Sequence, residues 1–209
     1  MTARLDRVVT RGIFSIDGED FEVENNIWIV GDDEECLVID AAHEAAPIID
    51  GVAGRRLVAI VCTHGHNDHI NAAAELAAET GAPVALHPAD RMLWDAVYPE
   101  RGPDLAIDNG ARFEAGGIEL VAIHTPGHSP GGVSLLDAAN ARVFAGDTLF
   151  KGGPGATGRS NSDFPTIIQS IRTRLLTLPG ETVVHTGHGD STPIAEEAPH
   201  LEEWIVRGH

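Results

Sequence analysis

The stretch Thr63-His64-Gly65-His66-Asn67-Asp68-His69 constrains this chain more than any other. It crowds four metal-capable side chains into six residues directly after the apolar run Val58-Ala59-Ile60-Val61-Cys62. In a helix His64 and Asp68 would share a face but His66 would point away, so the helical zinc pattern H-E-x-x-H does not describe it. At a strand end, residues two apart project to the same side. His64 and His66 can then grip one ion, with Gly65 giving the backbone room to turn. Past Asn67, residues 70–79 are rich in helix formers and close at Gly81. Asp68 and His69 therefore stand at a helix entrance facing the strand end. Adjacent residues on a first helical turn diverge by about a quarter turn, which suits a second ion beside the first. Asp68 alone could be a helix cap; three flanking imidazoles call for a metal.

The rest of the chain supplies a frame for such a loop. Residues 8–16, 21–30 and 36–39 read as a meander of strands separated by Asp17-Gly18 and Gly31-Asp32-Asp33, and Asp40 ends the third as a turn residue or a support for the site. A short helix over 45–52, a strand over 57–62, the Ala-rich helix, a strand over 83–86 and a helix over 88–97 follow, a layered α/β order. Residues 98–109 read as a surface loop. Strands are then expected over 111–114, 118–124, 132–136 and 142–145, a Gly-rich loop over 151–158, an amphipathic helix opened by Pro165, a strand over 181–186 and a C-terminal helix bearing Leu201, Trp204 and Ile205. No linker interrupts this, and 209 residues suit a single domain.

Composition narrows the partners. A formal net charge of -18, from 14 Lys and Arg against 32 Asp and Glu, opposes nucleic acid and anionic membrane as ligands. No segment has the unbroken apolar length of a membrane span, and residues 1–10 lack the apolar core of a secretory signal, so a cytoplasmic location is expected. Cys36 and Cys62 lie in apolar runs and read as buried free thiols.

Three apolar runs end in threonine followed closely by histidine: Val61-Cys62-Thr63-His64, Ile123-His124-Thr125-Pro126-Gly127-His128 and Val184-His185-Thr186-Gly187-His188. A fourth, Val143-Phe144-Ala145-Gly146-Asp147-Thr148, ends in aspartate. Ligands at separate strand ends can converge on one sheet edge. With His64-x-His66-x-Asp68-His69, Thr125-Pro126-Gly127-His128, Gly146-Asp147-Thr148 and Gly187-His188-Gly189 in this order, the sequence resembles the metallo-β-lactamase superfamily over nearly its whole length.

The resemblance implies an αββα four-layer sandwich, two mixed β-sheets flanked by helices. It implies that His64, His66 and His128 hold one divalent ion, that Asp68, His69 and His188 hold another, and that Asp147 bridges both. Zinc is the expected metal, and mixed nitrogen and oxygen donors also suit iron or manganese. Two ions about 3.5 to 4 Å apart lower the pKa of a shared water from about 15.7 towards ~7, which gives a bridging hydroxide as nucleophile, oriented by Asp68 as the catalytic carboxylate. Within the superfamily, Gly146-Asp147-Thr148-Leu149-Phe150 with Gly158-Arg159 downstream looks like the glyoxalase II group of thioester hydrolases. The helical C-terminal domain of its long form has no counterpart in residues 189–209, so the short single-domain form is the match. Lys151 and Arg159, cations beside the Gly-rich loop, are candidate contacts for an anionic part of a small thioester substrate.

Rival readings share the same motifs. A persulfide dioxygenase would use a single iron on His64, His128 and Asp147, and another hydrolase branch would open lactones or β-lactams. Lactamases with a cysteine in the second site would have one between His128 and His188, where this chain has none. The flavodiiron branch has glutamate where His66 stands, and nuclease members carry a basic surface. A binding-only module is disfavoured by the complete ligand set.

Overall fold

The computed structural model describes residues 3–208. Strands β1 (Arg4–Ile16), β2 (Glu19–Gly31), β3 (Glu35–Ile39), β4 (Arg56–Val61), β5 (Val84–Leu86) and β6 (Leu105–Ala106) form a first sheet in chain order. The first three are antiparallel and joined by tight turns. From β3 to β6 neighbours run parallel. Parallel neighbours need a crossover, and helices α1 (Ala45–Val52), α2 (Asn67–Ile70), α3 (Ala73–Thr80) and α4 (Arg91–Val97) lie in those crossovers.

A second mixed sheet follows. It comprises β7 (Arg112–Ala115), β8 (Ile118–His124), β9 (Val133–Asp137) and β10 (Arg142–Gly146), then, past a small hairpin of β11 (Leu149–Phe150) and β12 (Gly153–Pro154), β13 (Val183–Thr186) and β14 (Thr192–Pro193). Its order is β14-β13-β10-β9-β8-β7. Helix α5 (Phe164–Ser170) leads into β13, and α6 (Ile194–Glu197) and α7 (Leu201–Arg207) close the chain.

Period-two alternation sorts the side chains into layers. On β2 and β3, Ile27, Ile29, Cys36 and Val38 join the core beneath α1 and α3, while Trp28, Val30, Leu37 and Ile39 face the second sheet. Phe144 meets Trp28 from the opposite side, ring centroids 6.1 Å apart. Its neighbours Val143 and Ala145 turn outward to Ile167, Ile171 and Trp204. The order helix, sheet, sheet, helix is the expected αββα sandwich. Cys36 and Cys62 are both buried free thiols in the outer core of the first sheet. No described helix is long and apolar enough to cross a membrane.

Several elements differ from expectation. The Ala-rich helix is broken after Ile70, because Ala72 N–H donates to Ala41 O and Asn71 Oδ1 accepts from His43 N–H, which pulls the chain toward the turn after β3. The helix opened near Pro165 widens into a π-turn over Ile171–Leu175, with Leu176 N–H donating to Ile171 O. Strand β1 begins at Arg4 rather than residue 8, and the loop over 98–109 contributes β6 to the sheet edge.

Candidate metal centre

The carboxyl ends of β3, β4, β8, β10 and β13 meet along one rim of the sandwich, where Asp40, Thr63, Thr125, Asp147 and Gly187 continue them. The β4 loop is fixed from beneath. Asp40, in the left-handed region at φ 58, accepts from Thr63 N–H at 2.7 Å and from the Thr63 hydroxyl at 2.9 Å. Gly65 is needed for close approach rather than for a turn: a Cβ there would lie 2.9 Å from Leu93 Cβ and 3.0 Å from Asp90 Cβ. Asp68 does not cap α2, whose N-cap position is His66.

All seven residues expected from the sequence converge. His66 Nδ1 lies 3.1 Å from His64 Nε2 and 3.0 Å from His128 Nε2. Beside this group, His69 Nε2 and His188 Nε2 are 3.3 Å apart, and Asp68 Oδ2 is 3.5 Å from the first and 3.4 Å from the second. Asp147 stands between: Oδ1 is 3.4 Å from His69 Nε2, and Oδ2 is 3.3 Å from His188 Nε2 and 3.6 Å from His128 Nε2. Nitrogens bound tetrahedrally at about 2.0–2.1 Å from one ion stand about 3.3 Å apart, which matches these spacings. Gly187 is required here, since a Cβ would fall 2.2 Å from Asp147 Oδ1.

Tautomers point the same way. His69 Nδ1 pairs with Asp40 Oδ2 at 2.8 Å, His188 Nδ1 with Glu24 O at 2.7 Å and His128 Nδ1 with Ala156 O at 2.9 Å. Each partner can only accept, so each Nδ1 carries a hydrogen and each Nε2 is the nitrogen turned inward. His69 Nε2 and His188 Nε2, 3.3 Å apart, repel unless a proton or a metal cation lies between them, and without a metal the surrounding carboxylates overcome burial and hold protons there, pushing His188 up to about 10. Asp68 Oδ1 and Asp147 Oδ1 are buried without a hydrogen-bond partner, a further sign of a group fitted to bind cations.

The charge environment agrees. Burial pushes the His64 imidazole well below its ordinary range and His66 down to about 3, so both are neutral donors. Burial also opposes a charge on His69, but Asp147, Asp68 and Asp40 outweigh it and hold that ring well above its ordinary value. Asp147, although buried, is kept well below the carboxylate range by His69 and His188. The donor set therefore fits divalent cations.

Asp90 was not apparent from the sequence. Its buried carboxylate accepts from Gly65 N–H at 2.9 Å, Ser129 Oγ at 2.7 Å and Gly131 N–H at 2.5 Å, tying the His64–His66 loop to the loop of His128. Arg159 pairs with Glu19 at 2.5 Å and lies over the Phe21 ring, against the β1–β2 hairpin. Lys151 lies 3.7 Å from Asp190, both exposed. His124 and His185 take no place among the donors: His124 stacks on His87, and His185 stacks on Phe144 and packs at a tilt against Trp28.

The family model for the Metallo-beta-lactamase superfamily matches residues 21–188. The hydroxyacylglutathione hydrolase GloC of Haemophilus influenzae is 30% identical over 191 residues, covering 83% of this chain and 90% of that protein. The solved structure of BLEG-1 B3 metallo-beta-lactamase superimposes with a TM-score of 0.78 at 27% identity, covering 92% of this chain and 98% of that one. TTHA1623 in a di-iron-bound form superimposes with a TM-score of 0.74 at 32% identity, covering 88% of this chain and 96% of that one.

Proposed function

The chain belongs to the metallo-beta-lactamase superfamily, and from that premise we propose that it is a hydrolase of small thioesters, converting an acyl-thiol and water to acid and thiol. The observation that carries the hydrolytic reading is the convergence of two donor triads around Asp147, within 3.3–3.6 Å of His69, His128 and His188, beside an Asp68 whose Oδ1 is buried and unpaired. In this reading His64, His66 and His128 would hold one ion, Asp68, His69 and His188 would hold the other, and Asp147 would serve both. When bound, the pair supplies an acidified water and a Lewis acid for the carbonyl.

The chain's own groups do the rest. Asp68 turns Oδ2 toward His69 and His188, which leaves Oδ1 free to accept the proton of the attacking water. His64 and His66 are held neutral by burial, as ligands rather than acids. A thiol of ordinary pKa about 8.5 can leave as thiolate without a proton donor, which suits a thioester.

The thioester itself is supported by the Gly146-Asp147-Thr148-Leu149-Phe150 pattern and by the likeness to GloC. Zinc is the proposed metal; the likeness to TTHA1623 in its di-iron form keeps iron as the second choice. Arg159 and Lys151 are proposed contacts for a substrate carboxylate. Exposed ion pairs such as theirs with Glu19 and Asp190 are worth about 0–1 kcal/mol, so an anionic substrate can displace them. The reading places the work in one domain, and two buried free thiols fit the reducing cytoplasm.

Protein of measured metal content is assayed against lactoylglutathione, other thiol conjugates, a lactone, a β-lactam and a persulfide. Thioester cleavage should lead. A higher rate on lactone or β-lactam, or oxygen uptake on the persulfide by a one-iron protein, would replace this reading. Asp68→Asn should lower kcat about 10²–10⁴-fold.

A further inference from the structure

We infer that Asn25 and His43 are positioning residues for Asp68, acting as a hydrogen-bond chain with one permitted polarity. The inference rests on the role proposed for Asp68 and extends it to two residues outside the donor set.

Asn25 lies on β2, fully buried, and its Nδ2 is 3.1 Å from Asp68 Oδ2. Its Oδ1 is 2.9 Å from His43 Nε2. Asn71 closes the chain. Its Oδ1 accepts from His43 N–H at 2.5 Å, and its Nδ2 is 3.3 Å from His43 Nδ1.

These contacts leave little freedom. The Asp68 carboxylate only accepts, so Asn25 must present its NH2 there and its carbonyl to His43. His43 Nε2 then carries the hydrogen and Nδ1 the lone pair. Asn71 can donate only to Nδ1, because its own carbonyl is already taken by the backbone N–H of His43. Each end of the chain independently demands the same His43 tautomer.

The fold is shaped to admit this ring. His43 sits in the left-handed region at φ 64. On β1, Gly12 leaves space for it; a Cβ there would lie 2.2 Å from His43 Nδ1. Thr10 Oγ1 donates to Ala42 O at 2.9 Å and pins the same turn to β1. A bulky, strained residue is thus seated with its Nε2–H aimed at a buried amide. The consequence falls on Asp68: with Oδ2 held by Asn25, Oδ1 is the oxygen left to face the water.

Variants Asn25→Leu, Asn25→Ser, His43→Leu and His43→Gln are stripped of metal and reloaded with cobalt(II), whose visible spectrum reports ligand geometry without any substrate. Gln can place an N–H where Nε2–H stood and Leu cannot, and both carry the same left-handed backbone strain, so strain cancels in that comparison. Asn25→Leu, Asn25→Ser and His43→Leu should change the cobalt spectrum and lower the affinity for the second ion or kcat about 10–100-fold, with KM little changed; His43→Gln should return to within a few-fold of the parent. Asn25→Ser removes the amide without adding bulk, so the inference stays open to failure if a Leu variant does not fold. Unchanged spectra and kcat in Asn25→Ser, or equal damage from His43→Gln and His43→Leu, would overturn the inference. A parent protein that cleaves no thioester but shows the spectral changes would instead overturn the substrate reading alone.

Discussion

The two donor triads differ in what holds them. The first, His64, His66 and His128, is three imidazoles, two of them kept neutral by burial. Its support is largely loop geometry: Thr63 beside His64, Ala156 O behind His128, and Asp90 joining the two loops. The second, Asp68, His69 and His188, contains a carboxylate and is backed by buried polar side chains, Asp40 behind His69 and Asn25 behind Asp68. The first triad is therefore sensitive to how two loops are spaced, which the buried Asp90 carboxylate sets from outside the donors, and the second to the charge and hydrogen-bond polarity of side chains touching the donors themselves. Asp147 lies between them, its Oδ2 3.6 Å from His128 Nε2 and 3.3 Å from His188 Nε2.

The largest break in this comparison is Asp147→Ala. It removes the shared carboxylate, and both ions should fall well below the parent's stoichiometry in elemental analysis, with hydrolysis at background. Retention of two ions would show that Asp147 does not bridge. Asp90→Asn sharpens the comparison at smaller cost. The carboxylate accepts three donors, and an amide would turn its NH2 against one of them. Affinity for the first ion should drop about 10–100-fold while the second is nearly unchanged in a metal titration. Equal weakening of both would mean the triads are not separately supported.

The same difference explains what could be read in the chain. The cluster of His64, His66, Asp68 and His69 is local, and its spacing alone shows its purpose. His128, Asp147 and His188 come one to a strand end. Each taken singly is an ordinary loop residue, and only their recurrence after similar apolar runs, with the family resemblance, brought them together. Asp90 leaves no local pattern, because its partners lie 25, 39 and 41 residues away. His43 leaves no local pattern either, since its meaning lies in a hydrogen-bond polarity that exists only after β1, β2 and α2 are packed. The layers were legible because alternation is local, and the break in the helix after Ile70 was not, because a tertiary bond to Ala41 makes it.

The smallest expected effect separates a histidine that packs from one that binds, at the end of one strand. His188 faces Asp147 and Asp68, whereas His185 packs at a tilt against Trp28 at 4.5 Å and stacks on Phe144 at 5.0 Å, with Nδ1 2.9 Å from Ser191 Oγ. Burial, then Arg142 and Arg7, push the His185 imidazole down to about 4 from 6.5. A folded value below the unfolded one means that the unfolded chain binds more protons between those limits. The stabilisation is thus complete above about pH 6.5 and lost as the pH falls towards about 4, with an upper bound of about 3 kcal/mol. His185→Phe keeps an aromatic ring against Trp28 and removes the titration. Denaturant unfolding between pH 7 and ~4 should give the variant a shallower loss of stability than the parent, with metal stoichiometry unchanged. Parallel pH profiles for the two proteins would mean that His185 does not resist protonation in the fold, and a loss of metal would move it from the core to the centre.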